Sequence, residues 1–312
     1  MGLGFGQVVG VALAAWWYSQ PGVLSSSIAQ WLLPVLIYLL YSFLDGSEKT
    51  AQGRYWPGFQ LGWLCKAVLG PKGYMRGQVV YDDAEALQAT RQAIFGAFPH
   101  GVVSFHHVLL ASDADGFVSR FPQLACHQRR DLAASICFKI PIWRELLLWL
   151  GGVDAGRSTA QSVLRNGWSL YILPGGEMEQ MLTREGEHHV FLSKRKGFVR
   201  LALEHGVDLI PVYAFGETDL YSTYSLLFSL RLWICKNLRV ALPLARGVGP
   251  TLVPRPRPVS CVVGKPLRVD KSACPSNITV DNLHARFTRE LQQLFEKHKA
   301  ACGCPNAKLV IH

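Results

Sequence analysis

Four short apolar runs constrain this chain more than any other feature: Ala93–Phe98, Ser169–Leu173, Leu209–Phe215 and Val259–Val263. Each has the length of a buried strand, and segments with helical periodicity lie between them. The helical candidates are Ala84–Gln92, Trp143–Leu150, Ser158–Arg165 and Gly197–Glu204. Near the end, "VDNLHARFTRELQQLFEKHKA" puts Leu283, Phe287, Leu291, Leu294 and Phe295 on one helical face. Its charges fall mostly on the other side, so it reads as a packing helix, with partner binding as the alternative. The alternation predicts an α/β fold. The proline-rich stretch Pro250–Ser260 is a stiff connector, because a strand of the same pattern follows it.

The first 44 residues contain no Asp, Glu, Lys, Arg or His. Two apolar stretches, Gly2–Tyr18 and Val23–Leu44, flank the turn Ser19-Gln20-Pro21-Gly22. Spanning hydrocarbon takes ~20 apolar residues, so the second stretch is long enough and the first is marginal. Residues 1–44 are therefore expected to form a membrane-embedded helical hairpin, spanning or re-entrant, and residues 45–312 the α/β body. A cleavable signal peptide is the rival, disfavoured by the uncharged start and the long, interrupted apolar zone. Lys49, Arg54 and Lys66 follow the second stretch and put the body on the cytosolic side.

The formal net charge of +10 favours acidic partners such as anionic lipid or a phosphorylated co-substrate. Charged residues make up only 17% of the chain, which argues against a soluble nucleic-acid binder and for a membrane setting. The eight cysteines are scattered. Cys302-Gly303-Cys304 has no partner pair at a zinc spacing, and the cysteines read as reduced thiols.

Three stretches carry candidate chemistry. "AIFGAFPHGVVSFHH", Ala93–His107, runs a strand into Pro99-His100-Gly101. A histidine at that position in an α/β fold is either a satisfied turn residue or a base that takes a proton from a hydroxyl. "SLYILPGGEMEQML" runs a strand into Gly175-Gly176 and a helix opened by Glu177 and Glu179. The glycines expose backbone N–H groups suited to an oxyanion or phosphate, while the glutamates also suit a helix N-terminus. "LSKRKGFVRLALEHGVDLIPVYAFGETDLY" sets Lys194, Arg195 and Lys196 before a helix. That cluster is either a phosphate holder or a solvated face. His106-His107 and His188-His189 raise a metal-dependent hydrolase as a rival. Adjacent histidines on a strand point apart, and His-Glu-x-x-His is absent.

Together these stretches resemble the type 2 diacylglycerol acyltransferase family, which includes monoacylglycerol and wax-alcohol acyltransferases. The resemblance runs from about Ala93 to Lys299. Phe98-Pro99-His100-Gly101 falls on the family's His-Pro-His-Gly signature. "IPIWRELLLWLGGVDAGRST" is similar to a family segment with Arg144-Glu145, Gly-Gly and the later Arg157. Gly175-Gly176-x-x-Glu179 matches its Gly-Gly-x-x-Glu turn, and "RKGFVRLALEHGVDLIPVYAFGETDLY", which includes Glu217, is the longest match. "VVGKPL" fits a strand near the C-terminal end. The departure is Phe98, which replaces the signature's first histidine and can neither accept a proton nor bind a metal.

The resemblance implies a mixed sheet flanked by helices, of the glycerolipid acyltransferase kind. It implies transfer of a fatty acyl group from acyl-CoA to diacylglycerol, forming triacylglycerol. Monoacylglycerol or a fatty alcohol is the alternative acceptor. His100 would be the general base and Glu179 would orient its imidazole or a water. Gly101, Gly175 and Gly176 would offer oxyanion donors, and Arg195 and Lys196 would hold CoA phosphates. Pro99, Arg144, Arg157 and Glu217 would support the site. No metal or further cofactor is expected, acyl-CoA being a co-substrate. The expected setting is the endoplasmic-reticulum membrane, with the lipid-droplet surface as a second one. The expected partners are these substrates and the bilayer, not nucleic acid, and a homo-oligomer stays open. Because of Phe98, a non-catalytic membrane lipid-binding scaffold remains as a reading of another class.

Overall fold

A computed structural model describes residues 27–238 and 240–312. In chain order its strands are β1 Gln78–Tyr81, β2 Ala93–Phe98, β3 Arg129–Ala133, β4 Gly152–Asp154, β5 Ser169–Ile172, β6 His188–Val190, β7 Asp208–Phe215, β8 Ser222–Thr223, β9 Ala245–Arg246, β10 Ser260–Val263 and β11 Leu309–Ile311. Seven of them form one sheet in the order β1-β10-β7-β2-β5-β3-β4. The run from β7 to β4 is parallel throughout. β10 is antiparallel to β7 and parallel to β1, which makes the sheet mixed, as expected. β6 pairs with β11, and β8 with β9, outside this sheet.

Helices cover both faces. β2 and β7 are buried at every residue, so they read as continuous apolar runs rather than as alternation. Side chains along β2 still divide by period two. Ile94 and Phe98 face one core with Phe198, Tyr213 and Phe287. Ala93, Phe95 and Ala97 face the other with Leu109, Phe117 and Ile210. The first core is closed by helices Gly197–His205 and Asn277–His298, the second by helix Phe105–Ala111. Gly96 is where the long C-terminal helix settles on the sheet: a Cβ there would lie 2.7 Å from Phe287 Cζ. Phe98, which stands at a signature histidine position, is a fully buried member of the first core.

The hairpin expected over residues 1–44 is not supported. Its first arm, Gly2–Tyr18, and its turn lie outside the described residues. Residues 23–26 of the second arm also lie outside the described residues, and its remainder forms helix Ser27–Leu44, with Pro34 inside it. Among the described residues no helix is long and apolar enough to cross a membrane. The helix is tied to the body near its C-terminal end. Tyr41 Oη accepts from Arg54 at 2.6 Å, and Tyr38 Oη accepts the N–H of Ile142 at 3.0 Å.

Candidate active site

Three neighbouring parallel strands, β5, β2 and β7, deliver their C-terminal ends to one edge of the sheet. The turns leaving them carry Gly175-Gly176, His100-Gly101 and Gly216-Glu217. Topology thus gathers segments that are 117 positions apart at most, from His100 to Glu217. The carboxyl edge of a parallel sheet is where α/β folds build their sites.

Two buried carboxylates hold the His100 turn from below. Glu179, 2% exposed, accepts the N–H of His100 at 2.5 Å through Oε1 and that of Phe191 at 2.7 Å through Oε2. Burial pushes its carboxyl up to about 7, against the pull of these two N–H donors and of Arg195. Glu217, 1% exposed, accepts the N–H groups of Phe105 at 3.0 Å and His106 at 3.2 Å. It thereby satisfies the first turn of helix Phe105–Ala111, where donors lack intrahelical acceptors. Burial pushes its carboxyl up to about 8. Both approaches require glycine. A Cβ on Gly175 would stand 2.1 Å from Glu179 Oε2, and one on Gly101 would stand 2.9 Å from Glu217 Cγ. Gly101 also has φ +65°, a left-handed conformation that side chains resist.

The imidazole of His100 is half-buried and makes no hydrogen bond with Glu179 among the described residues. Its Nδ1 lies 3.1 Å from Gly101 O and 3.3 Å from Ser104 Oγ. Ser104 Oγ donates its own proton to His100 O at 2.6 Å. The network therefore assigns a proton to Nδ1, donated to Gly101 O, and leaves the lone pair on Nε2. Burial holds the His100 pKa below its ordinary value, so the ring is neutral near pH 7. Glu179, expected at the ring or at a water, instead grips the main chain of the same residue.

The neighbouring histidines have separate duties. His106 is fully buried: Tyr171 Oη lies 2.6 Å from its Nδ1, and its Nε2 faces Pro99 O at 3.1 Å. Burial pushes its pKa down to about 3, so it is a neutral strut beneath Pro99. His107 Nδ1 meets Asp131 Oδ2 at 2.9 Å, and Arg129 Nε meets the other oxygen at 2.9 Å. His188 pairs with Tyr213 Oη and His189 with His312. The two adjacent histidine pairs thus each divide between different partners.

The remaining candidates are spread out. Arg195 reaches the site, donating to Gly175 O at 3.1 Å. Lys196 instead pairs with Asp281 at 2.8 Å on the helix side of the molecule. Arg144 sits in a buried ion cluster with Asp45, Glu48 and Glu145. Arg157 pairs with Glu204 at 2.6 Å. Neither arginine contacts the His100 turn among the described residues. The N–H of Gly176 is taken by Leu173 O at 3.0 Å. The N–H groups of Gly101 and Gly175 make no hydrogen bond among the described residues, and both glycines are buried. Ser104, His106 and Tyr171 belong to this constellation and were not singled out as such from sequence. Ser104 immediately precedes a helix, a position that favours serine for capping, but here its hydroxyl turns back to His100.

A neutral imidazole at the carboxyl edge of a parallel sheet, its Nε2 without a hydrogen-bond partner among the described residues, can take a proton from a hydroxyl. Residues 27–312 match the diacylglycerol acyltransferase family, and the chain belongs to it. It is 36% identical over 241 residues to diacylglycerol O-acyltransferase 1 of Eremothecium gossypii, covering 70% of this chain and 50% of that protein. It is 33% identical over 301 residues to diacylglycerol O-acyltransferase 2 of Xenopus tropicalis, covering 90% and 79%. It is 32% identical over 289 residues to human 2-acylglycerol O-acyltransferase 3, covering 86% and 81%. The chain spans half the length of the first relative and about four-fifths of the other two. The solved structure of a 1-acyl-sn-glycerophosphate acyltransferase from Thermotoga maritima is similar at TM-score 0.48 and 19% identity, covering 94% of this chain and 98% of that one. Membership of an enzyme family named for acyl transfer to diacylglycerol agrees with the reaction expected from the resemblance.

Proposed function

We propose that this protein transfers a fatty acyl group from acyl-CoA to diacylglycerol, with His100 as general base. The observation that carries the reading is the pairing of His100 Nδ1 with Gly101 O, which leaves Nε2 as the acceptor. Nε2 takes the proton of the acceptor hydroxyl as its oxygen attacks the thioester carbonyl. The oxyanion is met by the N–H of Gly101 or Gly175. The C–S bond then breaks, and CoA leaves as a thiolate that recovers the proton from the imidazolium. Glu179 and Glu217 act by holding the turn, and Pro99 by presenting its carbonyl to His106. Arg195 is the candidate for a CoA phosphate. Alcohol attack on a thioester needs neither redox chemistry nor a metal, so a strong chelator should leave the rate unchanged.

The site works at a lipid-synthesising membrane in this reading, on the endoplasmic reticulum or a lipid droplet. Its support is an exposed apolar face: Leu36, Leu40 and Phe43 with Ile140 and Ile142, which Tyr38 ties together. Such a face suits the interfacial plane of a bilayer, from which a neutral glyceride diffuses.

The acceptor is an uncharged glyceride. The residue five after His100 is Phe105, and the Pro174-Gly175-Gly176 turn is followed by Glu177 and Glu179, a setting hostile to a phosphorylated acceptor. A second reading, acylation of monoacylglycerol, is favoured by the similarity to a 2-acylglycerol O-acyltransferase. The test is labelled acyl-CoA offered with diacylglycerol, monoacylglycerol, a fatty alcohol and lysophosphatidic acid side by side. Diacylglycerol should be acylated well above lysophosphatidic acid. Monoacylglycerol outranking diacylglycerol would favour the second reading. A preference for lysophosphatidic acid would overturn both.

A further inference from the structure

Beyond the C-terminal end of helix Gly176–Leu182 lies a cavity of about 450 Å³ that the reaction above does not use. Its wall combines Arg184, Arg231 and Arg246 with Tyr224 and Phe228. Its acid, Glu185, is already bound by Arg255 and by Ser222 Oγ at 3.0 Å. Arg231 is 7% exposed and has no carboxylate partner among the described residues. It donates only to main-chain carbonyls: Leu226 O at 2.9 Å, Leu242 O at 3.0 Å and Tyr224 O at 2.6 Å. Those bonds fix its position but leave its charge uncompensated, and an uncompensated buried charge is costly. Arg184 and Arg246 are exposed and make no ion pair among the described residues, though Arg246 lies over the Tyr224 ring at 6.0 Å. Helix Phe228–Leu238 begins at the same wall and adds the partial positive charge of its N-terminus.

The surface next to this basic cavity is apolar. The segment that supplies its lining residues Tyr224, Ser225, Phe228 and Arg231 also carries Leu226, Leu227, Leu230 and Trp233, each more than half exposed on the outer side of that segment. Guanidinium groups recognise phosphate oxygens through paired N–H donors, while leucines and tryptophan belong with acyl chains. A free nucleotide would satisfy the arginines and leave that apolar surface in water. We propose that the cavity is a binding site for the phosphate of an anionic membrane phospholipid, its acyl chains lying against the Leu226–Trp233 surface. The site is separate from acyl transfer, and its occupancy would fix how the protein sits on an anionic leaflet.

The experiment uses the purified full chain and flotation with vesicles of phosphatidylcholine alone or with a fifth of phosphatidic acid. The charge control is a double variant Arg286→Ala/Arg289→Ala, which removes the same charge from the exposed face of the C-terminal helix. Phosphatidic acid should increase vesicle binding of the wild type at least fivefold. The variant Arg184→Ala/Arg246→Ala should lose most of that increase, and the helix control should keep it. Both altered pairs are exposed side chains, so folding is not at stake, and acylation of diacylglycerol in neutral detergent should be unchanged. Equal losses in the two variants would reduce the effect to unspecific attraction and overturn the proposal. So would binding indifferent to phosphatidic acid. A severalfold rise in KM for acyl-CoA in Arg184→Ala/Arg246→Ala, with vesicle binding intact, would also overturn it by assigning the cavity to the co-substrate.

Discussion

Glu179 Oε1 accepts the main-chain N–H of His100 at 2.5 Å, so this carboxylate fixes where the histidine is and not which way its ring points. Ring orientation falls to Gly101 O and Ser104 Oγ, both on the same turn. The turn is thus positioned by a distant carboxylate and oriented locally, and the two tasks are open to separate tests.

Replacing the ring itself is the plainest of them. His100→Ala should lower turnover by ~10²–10⁴-fold, the usual weight of a general base. Glu179 bonds the main chain, so the turn and the thermal midpoint should stay close to wild type. Retention of more than about a tenth of the activity would rule out His100 as the base.

Ser104→Ala removes the hydroxyl that donates to His100 O and touches Nδ1. The loss should appear in kcat more than in KM, because ring orientation matters most in the transition state. A drop of roughly 3–30-fold in kcat is expected, equivalent to about 0.7–2 kcal/mol. Ser104→Thr, which keeps the hydroxyl, should restore part of it. Equal activity in all three proteins would remove Ser104 from the site.

Gly175→Ala tests the packing beneath the turn. The new Cβ would fall 2.1 Å from Glu179 Oε2, and either the carboxylate or the backbone must move. Overpacking of this kind costs about 1–3 kcal/mol, and loss of the Glu179 acceptor for the Phe191 and His100 N–H groups adds to it. Gly197 lies at the start of helix Gly197–His205 with open space where its Cβ would go. Gly197→Ala should therefore leave stability unchanged or raise it by up to about 1 kcal/mol. Chemical denaturation of the two variants would contradict the packing account if Gly175→Ala matched wild type.

Much of this was legible because burial leaves a plain mark on sequence. β2, and β7 after Asp208, are apolar since both faces are covered, and His100 stands out at the end of such a run. β3 was not legible: its sequence RRDLA carries the buried Arg129 and Asp131, whose pairing becomes visible only in three dimensions. The division of labour around His100 was hidden for the same reason. Glu179 lies 79 positions away, and nothing local distinguishes a carboxylate that holds a ring from one that holds an N–H. The helix Ser27–Leu44 shows the opposite failure. Its apolar composition is evident, but composition does not reveal that Tyr41 and Tyr38 tie it to Arg54 and to the Ile142 N–H of the body.

The two buried glutamates make stability depend on pH in a direction unusual for carboxylates. Unfolded glutamate titrates near ~4.3. Folded Glu179 is pushed up to about 7 and Glu217 to about 8, both by burial. Between these values the folded chain binds more protons than the unfolded chain, so stability falls as pH rises. The buried histidines act in the opposite sense. His106, pushed down to about 3, gives stability that rises from that pH to ~6.5 and is constant above it. Above pH 6.5 the histidine contribution levels off within about one unit, while that of Glu217 declines up to its own pKa. Urea denaturation should show a loss of about 1–2 kcal/mol between pH 6.5 and 8, since a full proton is worth ~1.4 kcal/mol per pH unit. Glu217→Gln will be less stable at every pH, because its amide nitrogen cannot accept an N–H from Phe105 or His106. The informative quantity is the slope, which should fall to less than half of the wild-type value. A wild-type curve flat from pH 6.5 to 8 would mean that Glu217 is already ionised in the folded protein, with the N–H groups of Phe105 and His106 outweighing its burial.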